Sequence, residues 1–248
     1  MITNFLVRGM LVGVLAGLFA FGFAKVFGEP QIDWAIGFEE KSSKEEAHSH
    51  EAKEEGHSHS HNEEELVSRQ MQSTFGLLTA VLVYGSAIGG LFALVFAATY
   101  GRVDSLSPRS LSLLLAGAGF LVIVLMPALK YPPNPPAVGQ GETIGFRTET
   151  YLLMIVLSVA TLIASIWIRR RMLDQFSEWN ATLAAGVAFI AIISVVMFFL
   201  PEINEVPEAF SAVVLWRFRL ASIGTQMVLW TTLALFFGIL TERHLSES

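Results

Sequence analysis

Between residues 41 and 65 the chain reads KSSKEEAHSHEAKEEGHSHSHNEEE, and five of its six histidines fall there: His48, His50, His57, His59 and His61. Neutral imidazole binds Zn, Cu, Ni and Co ions well, and nearby carboxylates neutralise their charge. In an extended chain alternate residues point to one side. His57, His59 and His61 then converge on one ion, and His48 with His50 completes the shell after a bend. A solvated low-complexity linker accounts for the Glu and Lys residues of this tract, but not for so many histidines. The pattern names a divalent transition metal without choosing one, since affinity at N/O sites rises from Co through Ni to Cu. Without metal the tract is expected to be disordered.

Two acids lie just before it. Glu29 and Asp33, in GEPQID at 28–33, stand four residues apart. They suit a hard or borderline cation, or the capping of a following short helix. A third polar group sits midway along the chain, at 130–151, KYPPNPPAVGQGETIGFRTETY. Its four prolines forbid helix and hold the backbone extended. Gly139 and Gly141 then permit sharp turns, and Glu142 and Arg147 follow at the threshold of an apolar run.

The fourth group is Arg217 and Arg219, inside AFSAVVLWRFRLASIGTQMVLW and flanked by Trp216 and Phe218. A charge within a membrane segment costs about 3 kcal/mol on insertion scales, so such arginines face partners or water. Either they line a polar cavity or gate, or they anchor an interfacial helix beside Trp216. Glu202, Glu205 and Glu208 precede them, and Gln226 further on needs a partner inside a bundle. No arrangement for nucleophilic or acid–base catalysis is visible, so the chain reads as no enzyme.

These groups hang on six apolar runs, near 5–27, 73–99, 110–129, 151–168, 181–200 and 212–240. Each reaches or approaches the ~20 residues that cross a bilayer as helix. The chain is 53% hydrophobic and 15% charged, against roughly a quarter charged in soluble proteins. In lipid the backbone must satisfy itself, which makes the runs helices. The fold expected is all-α: one polytopic transmembrane domain over 1–248, six helices, arranged as three hairpins opening outward. The first run is read as a retained helix and not a signal peptide, because it is long and no A-x-A site follows.

Gly9, Gly13 and Gly17 recur every four residues, and Gly85 and Gly89 repeat the spacing in the second run. Such flat faces suit close helix packing in lipid. Basic residues divide evenly between the two sides of the bilayer. The run Arg169-Arg170-Arg171 at a helix end decides for cytoplasm there, which puts both termini in the cytoplasm. Most of the acids then gather outside. Each outer loop carries a proline near an acid, and Arg69, Arg147 or Arg217 follows early in the returning helix.

The net charge of −6 argues against nucleic acid, and the absence of cysteine removes thiolate metal sites and disulfides. No P-loop pattern occurs, so the chain does not read as its own ATP motor.

On four stretches the sequence resembles the CbtA family, proposed cobalt transporter subunits of bacteria and archaea. They are 5–9 with its glycine ladder, 28–39 (GEPQIDWAIGFE), 130–151, and 205–226 (EVPEAFSAVVLWRFRLASIGTQ). The Pro-rich loop and LWRFR are the most specific parts. A His-rich loop after the first helix is common in that family, as here; Ser211, where the family pattern has Pro, is a departure.

The resemblance implies cobalt as cargo, and a small His-bearing, CbtB-like membrane partner. The resulting expectation is a plasma-membrane transporter subunit in the lipid bilayer, binding Co transiently (or Ni, Zn or Cu) and holding no tight cofactor. Its His loop gathers ions, the outer acids pass them on, and Arg147, Arg217 and Gln226 line a gated path. The alternative is a metal-sensing or assembly subunit that transports nothing. A homo-oligomer is compatible with either.

Overall fold

The computed structural model describes residues 2–51, 68–103 and 106–247, with backbone only for 45–51 and 247. It is 85% helix, without strands among the described residues. Its helices are α1 (Ile2–Phe23), α2 (Glu29–Glu51), α3 (Arg69–Met71), α4 (Leu77–Thr99), α5 (Pro108–Gly119), α6 (Met126–Lys130), α7 (Ile144–Met172), α8 (Glu178–Phe199) and α9 (Ala212–Glu247). Three π-turns weld some of these into longer rods: Ala24–Gly28 joins α1 to α2, Gln72–Gly76 joins α3 to α4, and Phe120–Leu125 joins α5 to α6. Six rods result among the described residues, of 22 to 43 residues, each long and apolar enough to cross a membrane. The six apolar runs of the sequence are thus six helices.

Local chemistry sets their starts. Ser68, Ser107 and Ser177 accept from the backbone N–H three residues on, which supplies a partner for an orphan donor at each helix start. Pro108 takes the first helical position of α5. Arg169, Arg170 and Arg171 close α7, where cations favour the helix dipole, and the Arg171 guanidinium lies 5.0 Å from the centre of the Trp167 ring.

The chain divides into two compact units. The first comprises Met1–Ala116, Asn134–Val138 and Pro207–Ser248. Here α1 lies along α4 through the glycine faces. A Cβ on Gly13 would overlap the Gly85 carbonyl oxygen, one on Gly9 that of Gly89, and the converse holds for Gly85 and Gly89. Backbones touch, as the four-residue spacing predicted. Helix α9 crosses α1 and fits the Phe23 ring against Gly224. Phe237 meets Phe92 and Phe96 edge-on, and Ser112 Oγ donates to the Ala234 carbonyl at 2.8 Å.

The second unit comprises Gly117–Pro133 and Gly139–Val206. Helix α7 packs on α8 and on α6. Its packed face is a stripe of Thr150, Met154, Ser158, Thr161 and Ser165, all buried. Each hydroxyl donates to its own helix three or four residues back, so no donor is left bare in lipid.

The hairpins hold in part. The first two rods pack together, and α6 packs on α7, as two of the three expected hairpins require.

Candidate functional site: charged groups where the helices open

In the first unit the polar groups cluster around two π-turns. Lys25, in the first, donates to the Ser73 carbonyl at 2.9 Å and the Ser73 hydroxyl at 3.0 Å. Ser73 lies in the second. A π-turn widens the helix by one residue and frees backbone carbonyls, and such turns recur at functional positions. Here the Ser73 carbonyl, within such a turn, accepts from an ammonium.

One turn further along, Arg69 joins α3 to α2. Its Nη2 bonds Glu29, and its Nε bonds Asp33 Oδ1 at 3.1 Å. The two acids differ in burial: the Glu29 side chain is 7% exposed, that of Asp33 61%. Taking a carboxylate as enclosed as Glu29 out of water is costly without a partner, whereas an exposed pair contributes ~0–1 kcal/mol. The Glu29 bond is therefore the energetic one. Glu29 and Asp33 do not cap a separate short helix, because the π-turn carries α1 into α2 without a break.

Helix α2 also reaches the histidine tract. The backbone is helical through Glu51, so His48 and His50 lie on helix where the sequence reading had open loop. Strong helix formers and a Glu40–Lys44 pair at four-residue spacing favour this. Alternation that turns every second residue to one side belongs to an extended chain, not to a helix. His57, His59 and His61 lie outside the described residues. Among the described residues no three His, Cys, Asp or Glu side chains are grouped to hold a metal ion.

The Pro-rich segment contributes to both units. In the first, Val138 N–H donates to the Pro135 carbonyl at 3.3 Å, closing a turn around Pro136 and Ala137. Ala137 has φ +67°, a left-handed position that usually asks for Gly. Pro135 and Val138 are buried, and Asn134 Oδ1 accepts from Arg219 Nη2 at 2.9 Å. Arg219 thus has a partner, although its Nε is buried with none.

In the second unit the segment forms a clamp. Gly139 has φ +116°, and a Cβ there would overlap the Arg147 guanidinium. Arg147 Nη2 donates to the Gln140 carbonyl at 3.1 Å, and its Nε lies 3.5 Å from Glu205 Oε2. The Gln140 N–H donates to Glu205 at 2.8 Å. The Thr143 hydroxyl, that N–H and the Arg147 charge, in that order, hold the Glu205 carboxyl below the ordinary carboxylate range, against partial burial.

The remaining residues singled out in the sequence are less engaged. Glu142 and Glu202 are exposed and have no hydrogen bond or ion pair among the described residues. Gln226 accepts from the exposed Tyr84 hydroxyl at 3.5 Å. Arg217 is exposed and borders a cavity of about 320 Å³ with Gln31, Phe23 and Phe27. Sequence reasoning missed Lys25, a lone lysine with no motif around it. It noted Arg69 as an arginine after a loop but did not pair it with Glu29 and Asp33.

Six apolar rods with charged groups confined to a few positions define a multi-pass membrane protein. The family model for CbtA, described as probable cobalt transporter subunit, matches residues 2–242, and the chain belongs to that family. No curated protein and no solved structure matches it.

Proposed function

We propose that the chain admits a divalent transition metal, with Co²⁺ the favoured cargo, through the charged opening of its first unit. The observation that carries this is Arg69 held between Glu29 and Asp33, two acids at one helical turn's spacing on α2. An arginine cannot ligate a cation, but it neutralises acids while none is present. Arg69 is thus a tethered counter-charge that a divalent ion displaces. The metal comes from the histidine tract, whose first residues continue α2. His48 stands fifteen residues past Asp33, or about 22 Å along a helix, so capture and admission are separate places on one rod. The clamp of Arg147 and Glu205 is a second carboxylate lock. With the termini in the cytoplasm, membrane potential favours cation uptake by about 2.3 kcal/mol per charge per 100 mV.

Family membership supports the transporter-subunit class. The second reading, a metal-sensing or assembly subunit, rests on the same tract of histidines. The purified chain in liposomes, alone and with its small His-bearing partner, separates the two. Influx of Co²⁺ that quenches an enclosed dye supports transport; no influx in either condition assigns the chain to the second class.

A further inference from the structure

Within the first unit, Arg217 differs from Arg69 and Arg219. Arg69 has carboxylates and Arg219 has Asn134, whereas Arg217 has no hydrogen bond or ion pair among the described residues. Its cavity, of about 320 Å³, shares Phe23 and Phe27 with a second of about 540 Å³. The second lies between α1 and α9 and is lined by Leu18, Phe19, Gly22, Val228, Thr232 and Phe236. No acid lines either cavity. A Cβ on Gly22 would meet nothing within 4 Å, so the missing side chain leaves open space and not a packed contact.

From these observations we infer that the α1–α9 groove is a binding site for an anionic phospholipid, with the phosphate at Arg217 and an acyl chain along the groove. The charge pattern is that of such a molecule: one cation at one end and hydrocarbon thereafter. The depth agrees. Val228 and Phe236, the first and last α9 residues lining the second cavity, lie eleven and nineteen residues beyond Arg217, about 16 to 28 Å along the helix, so a chain reaching half of a ~30 Å hydrocarbon core occupies the part nearer Arg217. Trp216, exposed beside Arg217, belongs at the same interfacial level. Both cavities fall in the ~300–1,000 Å³ range of small-ligand sites. Gln31 offers the headgroup a neutral hydrogen-bonding group opposite the guanidinium.

The test is native mass spectrometry of the full-length chain, delipidated in micelles and titrated with phosphatidylglycerol or phosphatidylcholine. Phosphatidylglycerol should bind about five-fold tighter, as one arginine near an anionic headgroup supplies. Arg217→Gln should erase the preference and Arg217→Lys retain most of it. Gly22→Leu should weaken both lipids by filling the groove, and Arg171→Gln should change neither. Soluble glycerol phosphate should not compete, since it lacks the chain. Equal affinity for the two lipids in the unaltered chain, or a preference that survives Arg217→Gln, overturns the inference. So does competition by glycerol phosphate, or a Gly22→Leu variant that binds lipid normally but loses a co-purifying membrane polypeptide. These readouts involve no metal, so they stand or fall apart from the transport reading.

Discussion

Arg69 Nη2 bonds the carboxylate of Glu29, a side chain 7% exposed, and this pair joins the first two rods at the start of α2. Removing one partner of an enclosed pair strands the other charge, at a cost of about 3–5 kcal/mol. Arg69→Ala should therefore destabilise by that order. Adding Glu29→Gln should recover much of the loss, and Asp33→Asn should cost under about 1 kcal/mol. Denaturant unfolding in micelles measures all three. Equal losses for Asp33→Asn and Arg69→Ala would remove the distinction drawn from burial.

Gly13 and Gly22 sit on the same helix with opposite surroundings. Gly13 faces the Gly85 carbonyl at backbone distance, while Gly22 faces open space. A backbone contact cannot swing aside as a side chain can. Gly13→Val should thus reach or exceed the ~3 kcal/mol upper end of overpacking, and Gly22→Ala should stay near zero. Thermal melting of the two variants in one detergent is the comparison. Similar melting temperatures would contradict the packing of α1 on α4.

How far the sequence disclosed this depends on the range of each signal. Gly9, Gly13 and Gly17 were legible as a packing face because helical spacing is a local property. The six rods were legible because lipid leaves a backbone no alternative. Glu29 with Arg69 was not, since the pairing crosses a separation of 40 residues and nothing local selects it. The π-turns were hidden for a related reason: AKVFG and QSTFG carry no proline or other break, and only packing decides where a helix widens. Asn134 with Arg219 was hidden in the same way. The stripe of hydroxyls on α7 is present in the spacing, but Ser and Thr at helical intervals do not by themselves say which face is packed.

The clamp and the histidines titrate in different ranges. A carboxyl held low contributes stability above its unfolded value, about 4.3, which is lost as pH falls through the lower folded value. Unperturbed imidazole protonates near pH 6.5 and then cannot ligate. The stability difference between the unaltered chain and Glu205→Gln should hold from pH 7 to pH 5 and shrink only below the ordinary carboxylate range. Metal capture should already have weakened at pH 5. Unfolding of both chains in micelles across that range decides; a difference gone by pH 5 would contradict the assignment to Glu205.

The orientation is open to a direct check, because the chain has no cysteine. With both termini in the cytoplasm, Ser58→Cys should react with an impermeant thiol reagent in intact cells and Ser246→Cys should not. Labelling at 246 would invert the topology.

The central claim is a division between capture by the histidine tract and admission at Glu29 and Asp33. Initial rates of Co²⁺ uptake across a metal titration test it, in cells with matched amounts of each chain in the membrane. Deleting 44–62 should raise the metal concentration for half-maximal uptake and spare most of the rate at saturation, since a polar tract cannot form a path through lipid. Asp33→Asn, which should fold normally, should lower the rate at every concentration. If the deletion abolished uptake at saturating metal while Asp33→Asn left it intact, the tract would be the path and the account would be wrong.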